Sequence, residues 1–277
     1  MTACGAARRR QRGFALLIVL WSMALLALIG TRITAAGHAE TRLAANLRAA
    51  AEAEAAADAA VFEAVWHAMD GSANRWPADG LARVVRLPHA TVEVAMVSEN
   101  SKITLNNSPL PLLHGLLHAL GFEPKLAEVL TEQISDWRSP AQFPQRMGAK
   151  APQYRAAGRD WGPPGQPFRS VDELGLVLSI TPEILARLRP YVSPYIESTP
   201  HAGSGDRVIA AAAAEAAANG SPPLAFDEAP TLTITATAVT PSGGRFVRRA
   251  VIQVATSLAS NPNQPPFTVL DWDRAPD

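Results

Sequence analysis

Little in this 277-residue chain offers covalent chemistry. Its one cysteine, Cys4, rules out an intramolecular disulfide; a cysteine-free body is compatible with an oxidising compartment without requiring one. No G-x-S-x-G elbow, phosphate-binding P-loop or C-x-x-C pair occurs, so the sequence marks of a serine hydrolase, a nucleotide site or a thiol redox centre are missing. Acid is absent from the first 13 residues, where Arg8, Arg9, Arg10 and Arg12 collect. Without those four of its 25 basic residues the chain keeps 21 against 25 acids, the wrong balance for an electrostatic nucleic-acid binder. Proline is missing from Thr31 through Met69, and glycine appears there only at Gly37. Over that stretch nothing interrupts a helix.

What is present there is helix-forming. Phe14 to Gly30 is a run of 17 uncharged residues, at the short end of what crosses a bilayer as a helix. Arg32 is placed to reach the interface and lengthen that span. The arginines before the run set the N-terminus on the cytoplasmic side and everything after it outside. A secretory signal peptide is the plainer reading of a basic start and an apolar run. Against it, the run is long, Arg32 stands where a cleavage region is neutral, and good helix formers continue afterwards. Leu43/Leu47, Val61/Val65 and Phe62/Trp66/Met69 recur at i, i+3 and i+4, an apolar stripe suited to packing on a globular head. The pattern predicts one helix over 14–70, transmembrane over about 14–35, and roughly 84 Å long from Phe14 to Met69 at 1.5 Å per residue.

This N-terminus resembles type IV pilin-like proteins, in which a short basic leader ends in glycine and a prepilin peptidase cuts after it. The resemblance implies that residues 1–13 are a leader, that cleavage falls between Gly13 and Phe14, and that Phe14 becomes N-methylated. Most such proteins carry glutamate at the fifth mature position, where it pairs with the terminal amine of a neighbour; here that position is Ile18. An ionised carboxylate in a membrane is costly unless paired, and its loss suits a subunit at a filament's end. By resemblance, this departure points to the minor pseudopilins of the general secretion pathway protein K family of type II secretion.

After Asp70-Gly71 the pattern changes. Leu81–Leu87 and Ala90–Val97 read as strands, the second alternating Val92, Val94 and Met96 with Glu93 and Ala95. The segment SENSKITLNN resembles a glycine-lysine turn and asparagine-rich stretch of the protein K family; Lys102, Ile103, Leu105 and Asn106 match, whereas Ser101 replaces the glycine. Helices are predicted over Pro109–Leu120 and Pro124–Ile134, with Gly121 closing the first, then over Val171–Leu178 and Pro182–Leu188. Arg138–Phe168 reads as loop, and Val208–Ala218 as a short Ala-rich helix. Thr231–Thr240, Arg245–Thr256 and Phe267–Leu270 read as closing strands. The expected fold is α+β: a pseudopilin fold with the long N-terminal helix packed on an antiparallel sheet and an inserted all-helical domain. Its expected divisions are a sheet domain from 71–106 and 221–277, an inserted domain over 107–200, and a linker with the Ala-rich helix over 201–220.

Candidate sites are few. His114 and His118 have the i, i+4 spacing of a zinc chelate, yet no third ligand stands nearby in sequence, so a structural pair is favoured. LLHALGFEPKLAEVL has helix-hairpin-helix spacing; its turn carries Glu123 and a lone lysine, Lys125, which favours a structural hairpin over a phosphate-binding one. Relatives bind calcium near DWRSPAQFPQRMGAK. Here Arg138 follows Trp137, no acid occurs up to Gly148-Ala149, and Lys150 stands where the relatives have glutamate, so no calcium site is expected. No catalytic residue, metal or cofactor is assigned.

The resemblance implies a non-enzymatic tip subunit of the pseudopilus, acting in initiation or capping of its assembly and in export across the outer membrane. Implied partners are the I-type and J-type minor pseudopilins, the prepilin peptidase and the inner-membrane secretion platform. The chain would lie in the inner membrane with a periplasmic head before entering the pseudopilus. A pilin-like binding module for DNA uptake, or a type IV pilus minor pilin, is the alternative. A secreted enzyme freed by signal cleavage is a weaker third.

Overall fold

The computed structural model describes residues 7–198, 205–221, 229–255 and 265–275, with the backbone alone described at 7–13, 30 and 32–39. In chain order the elements are α1 (Ala7–Met69), β1 (Arg83–Leu87), β2 (Ala90–Ser98), β3 (Ile103–Thr104), α2 (Leu110–Ala119), α3 (Pro124–Arg138), α4 (Ala151–Ala156), α5 (Pro182–Leu188), β4 (Val192–Ser193), α6 (Arg207–Ala218), β5 (Thr231–Val239), β6 (Arg245–Val254) and β7 (Phe267–Arg274). The architecture is mixed helix and antiparallel sheet. Leader residues 1–6, Cys4 among them, lie outside the described residues.

With no proline to interrupt it, α1 runs 63 residues, about 94 Å at 1.5 Å per residue. It stops where Asp70 offers its carboxylate to the Ser72 amide and hydroxyl, both at 2.9 Å, and His67 stacks on Trp76 at 4.2 Å. Its C-terminal third lies on a five-stranded sheet of order β1-β2-β5-β6-β7, every pair antiparallel. The contact face of α1 is almost all small: Ala53, Ala56, Ala57, Ala60, Val61, Ala64 and Val65 are buried. Small side chains bring the helix close to the strands, and larger ones from the sheet fill the space: Met96 of β2, Ile234 of β5 and Ile252 of β6 are fully buried against them. Alternation sets this register. On β5, Leu232, Ile234, Ala236 and Ala238 face α1 while Thr233, Thr235 and Thr237 face away.

One charged residue sits inside this interface. Arg248 of β6, 7% exposed, donates from Nε to Asp58 Oδ1 at 2.6 Å and from Nη2 to Glu54 Oε1 at 2.8 Å, with its guanidinium over Phe246 and Trp272. Removing the charge and removing its partner therefore have different costs. Arg248→Met keeps the buried stem and lets both acids hydrate, so it is expected to cost no more than about 1 kcal/mol; Asp58→Ala leaves a buried guanidinium with one half-exposed partner and is expected to cost about 2–3 kcal/mol. Urea unfolding of the two variants ranks them, and the reverse order would refute this account of the interface.

The sheet is assembled from two distant parts of the chain, β1–β2 and β5–β7, and the helical part enters between them. Its two ends are tied together by the parallel pair β3–β4, Ile103 opposite Val192 and Thr104 opposite Ser193. Its core joins Leu112, Leu116 and Leu117 of α2, Leu130, Ile134 and Trp137 of α3, Tyr154 of α4, and Ile209, Ala212 and Ala216 of α6. The Ala-rich helix α6 thus shares this core. It packs so tightly on α2 that a Cβ at Gly115 would lie 2.8 Å from the Ala212 carbonyl oxygen.

Three local differences from the sequence reading have physical causes. Arg138–Phe168 contains α4, whose six residues are too short to show periodicity; it is capped by Gln153 accepting from the Lys150 amide at 3.0 Å. Val171–Leu176 is a 3-10 helix where an α-helix to Leu178 is expected, with Gly175 in its midst and Leu185 3.4 Å from where a Cβ would stand. The last strand runs on to Arg274 because a bulge at Val251/Ile252 lets β7 stay paired past Leu270.

Candidate functional site

Two surfaces carry most of the unexplained apolar area. The first is α1 below the head. The hairpin turn between β5 and β6 seats Gly244 against the Ala49 carbonyl, and before that point the described side chains of α1 are all exposed. Phe14 through Ile29 are all exposed, Phe14 by 68% and Ile18 by 52%. Gly13 is in the helical backbone just ahead of Phe14, so the bond expected to be cut lies within α1. The Ile18 carbonyl accepts a bond from Ser22 Oγ at 2.7 Å, a polar group satisfied within the helix itself. Among the described residues, no helix is long and apolar enough to cross a membrane. The span expected over about 14–35 includes 30 and 32–35, whose side chains lie outside the described residues.

The second surface is the outward side of α1 beside the head. Leu43, Leu47, Ala51, Ala55, Ala59, Phe62 and Trp66 are all exposed, at successive spacings of four, four, four, four, three and four. They form one unbroken apolar stripe opposite the buried face. Sequence reading placed Leu43, Leu47, Phe62 and Trp66 in one stripe with Val61, Val65 and Met69, suited to packing on the head. Only Val61, Val65 and in part Met69 pack there, and the other four face outward because the sheet takes the small alanine face of α1. The stripe continues onto the sheet edge, where Phe62 stacks on Trp272 at 5.6 Å and approaches Phe267 at 6.2 Å. β7 is an edge strand of eight residues with Val269 and Leu270 exposed. A long, apolar-flanked edge is a template for another chain unless something covers it.

The segment singled out as KITLN forms the base of the helical part. Ile103 and Leu105 are fully buried; Thr104 Oγ1 donates to the Ile196 carbonyl at 2.6 Å. Asn106 uses its whole amide, donating to the Phe168 and Pro194 carbonyls at 3.0 Å and accepting from the Phe168 amide at 2.7 Å. Ser101 in place of glycine is tolerated because no described non-glycine residue needs positive φ. The base is held to the sheet by Glu99, which binds Lys102 Nζ at 2.6 Å and Thr233 Oγ1 at 2.7 Å, and by Tyr195 Oη donating to Asp271 at 2.8 Å. Burial, then that bond to Asp271, pushes the Tyr195 hydroxyl well above its ordinary range. Arg138 donates to the Leu105 and Ser108 carbonyls from inside the protein, where desolvation pulls its pKa down to about 10.

His114 and His118 do find a third partner, from 97 residues or more away in sequence. Their Nδ1 atoms lie 3.2 and 2.8 Å from the two carboxylate oxygens of Glu215 on α6. A carboxylate only accepts, so both Nδ1 atoms carry the proton. The bond from His118 is the largest cause holding Glu215 below the usual carboxylate range. The three residues tie α2 to α6, and among the described residues no three His, Cys, Asp or Glu side chains are grouped to hold a metal ion. The hairpin between α2 and α3 is also occupied from within. Gly121 has φ +77°, and Arg187 of α5 donates to the Leu120 carbonyl while its guanidinium covers the Phe122 ring at 4.0 Å.

Comparison with known proteins agrees with this architecture. Residues 90–196 match the family model of the type II secretion system (T2SS), protein K. A curated relative, the type II secretion system protein K of Pectobacterium carotovorum subsp. carotovorum, is 28% identical over 219 residues, 67% of this chain. The match spans 63% of that relative's length. In fold, the chain resembles one solved in the GspK-GspI-GspJ complex from the enterotoxigenic Escherichia coli type 2 secretion system, with a TM-score of 0.62, 14% identity, and coverage of 87% of this chain and 99% of that one. Family model and curated relative both point to protein K of the type II secretion system, to which residues 90–196 are similar, and the fold is similar to that of a chain in the GspK-GspI-GspJ complex.

Proposed function

We propose that this chain is the minor pseudopilin at the tip of the type II secretion pseudopilus, acting in initiation and capping of its assembly and so in protein export across the outer membrane. The observation that supports this most directly is the division of α1: a head-bearing part from Ala49, and an apolar part from Phe14 to Ile29 that is exposed along its whole length. Residues 1–13 are removed by a prepilin peptidase between Gly13 and Phe14, and Phe14 is N-methylated. The apolar part anchors the subunit in the inner membrane over about 14–35, with the head in the periplasm. It then passes, at the inner-membrane secretion platform, from lipid into a bundle of similar helices, where packing replaces lipid contact. Ile18 makes no demand for a neighbouring amine, which suits a subunit that enters first. The helical part, expected over 107–200 and sharing its core with α6, is attached at one end of the sheet and free to stand above the tip. The work is mechanical, with no catalytic residue and no cofactor.

The partners in this reading are the I-type and J-type minor pseudopilins, and the stripe ending in Phe62 and Trp66 beside β7 is the face that receives one of them. Co-expression of the full chain with both partners is expected to yield a ternary complex. Phe62→Asp with Trp66→Asp is expected to weaken it by at least about thirtyfold, the effect of losing a central aromatic anchor. Both side chains are exposed, so the fold should survive the change. A wild-type chain that captures neither partner would overturn the tip assignment. The second reading, a DNA-uptake module, rests on the α2–α3 hairpin. Arg187 over the turn and Glu123 beside it argue against phosphate binding there. Retardation of duplex DNA by the full chain would favour it.

A further inference from the structure

The loop from α3 to α4 is organised around a positive charge supplied by the chain itself. Lys150 is 7% exposed, and its Nζ donates to the Asp136 carbonyl at 2.6 Å and the Ser139 carbonyl at 2.7 Å. Those carbonyls belong to the C-terminal turn of α3, where oxygens lack intrahelical partners and the helix dipole places partial negative charge. The acids of α3 facing this loop are engaged as well. Asp136 Oδ2 accepts from the Gln145 amide at 3.0 Å, Glu132 accepts from the Met147 amide, and Glu128 pairs with Arg146. The loop closes onto the helix at Gly148, where a Cβ would stand 1.9 Å from Asp136 Oδ2.

This arrangement does not fit a calcium ion, which needs six to eight oxygen ligands. One oxygen of each of the three carboxylates is already bound to a donor from the loop, and an ammonium rests on the two carbonyls. The geometry points to a different device: the Lys150 ammonium is a tethered cation that gathers the end of α3 and closes the 139–150 loop, doing there what a divalent ion would do and making the helical part independent of calcium. Calcium is excluded by charge as well as by occupancy, because a divalent ion placed among the same oxygens would face the ammonium at close range. Placing the cation on the chain also fixes α4, since the Lys150 amide bonds Gln153 Oε1 at 3.0 Å and Tyr154 follows one residue later in the core.

The test uses the purified full chain. Thermal melts of the wild type in EGTA and in millimolar calcium chloride are expected to coincide, and terbium is expected to give no saturable emission sensitised by Trp137. Lys150→Met is expected to melt roughly 5 °C or more below wild type in both buffers. Lys150→Asp removes the tethered charge and leaves an acid; its melt is expected to be lower still in EGTA and to recover in part with calcium. Wild-type stabilisation by calcium, or terbium emission competed by calcium, would overturn the proposal, as would a Lys150→Met melt equal to wild type. Failure of calcium to raise the Lys150→Asp melt would also overturn it, by reducing Lys150 to a packing residue. Should a variant not fold, the wild-type terbium titration decides alone.

Discussion

Gly244→Ala is expected to destabilise the head by about 3 kcal/mol, because the added Cβ would lie 2.2 Å from the Ala49 carbonyl oxygen and 2.6 Å from its carbon. The contact is backbone on backbone, so no flexible side chain can move aside. The turn itself is fixed by Thr240, whose Oγ1 accepts from the Gly244 amide at 2.8 Å and whose amide donates to the Gly244 carbonyl at 2.9 Å. Relief must therefore come from lifting the β5–β6 turn off α1 or from bending the helix. Gly244 does not have the left-handed φ of its neighbour Gly243, at +87°, so the two substitutions separate contact from conformation. Gly243→Ala meets nothing within 4 Å and is expected to cost only about 1–2 kcal/mol of backbone strain. Denaturant unfolding of both variants checks the order, and equal small losses would show that the turn does not sit on α1. The consequence is functional in the proposed reading. Ala49 is where a load on the helix first reaches the sheet, and Arg248 with Asp58 and Glu54 is the next point up.

Gly13→Val is expected to leave the chain uncut and exoprotein secretion at the level of a strain lacking the subunit. A peptidase acting on the Gly13–Phe14 bond must bring its own groups up to the Gly13 carbonyl. Glycine has no Cβ to obstruct that approach, while valine places two methyl groups beside it and stiffens the helix around the bond. N-terminal sequencing of the wild type is expected to begin at Phe14, and of the variant upstream of it. In the proposed reading, uncut protein also keeps Arg8, Arg9, Arg10 and Arg12, which would hold the N-terminus at the cytoplasmic face and oppose extraction of the helix into a bundle. A wild-type chain beginning near Gly37 would instead mark a cleaved signal peptide. A Gly13→Val strain that secretes normally would remove the processing step from the account of this protein.

Much of the architecture was legible one segment at a time. A helix through Met69 follows from missing proline and a period near 3.6, and the strands from alternation such as Val92, Val94 and Met96 against Glu93 and Ala95. The caps at Pro124 and Gly121 placed the α2–α3 hairpin to within a few residues. All of these depend on neighbours one to four residues apart, which is the range over which a sequence states its own geometry. The resemblance at RRRQRGFALLIVL and KITLN is of the same kind, a local pattern compared with others.

What folding alone decided are the pairings between distant residues. Nothing near His114 and His118 announced Glu215, and nothing near Arg248 announced Asp58, 190 residues earlier. Lys150 read as one more charge spoiling a calcium loop, and became a cation held on two carbonyls only when α3 and the loop after it were brought together. The outward stripe through Ala51, Ala55 and Ala59 could not be told from the inward one through Ala53, Ala57 and Ala60 until the sheet covered one of them. Composition and period determined which elements form. Burial, which depends on every other element at once, decided which face of each is buried and which is left for a partner.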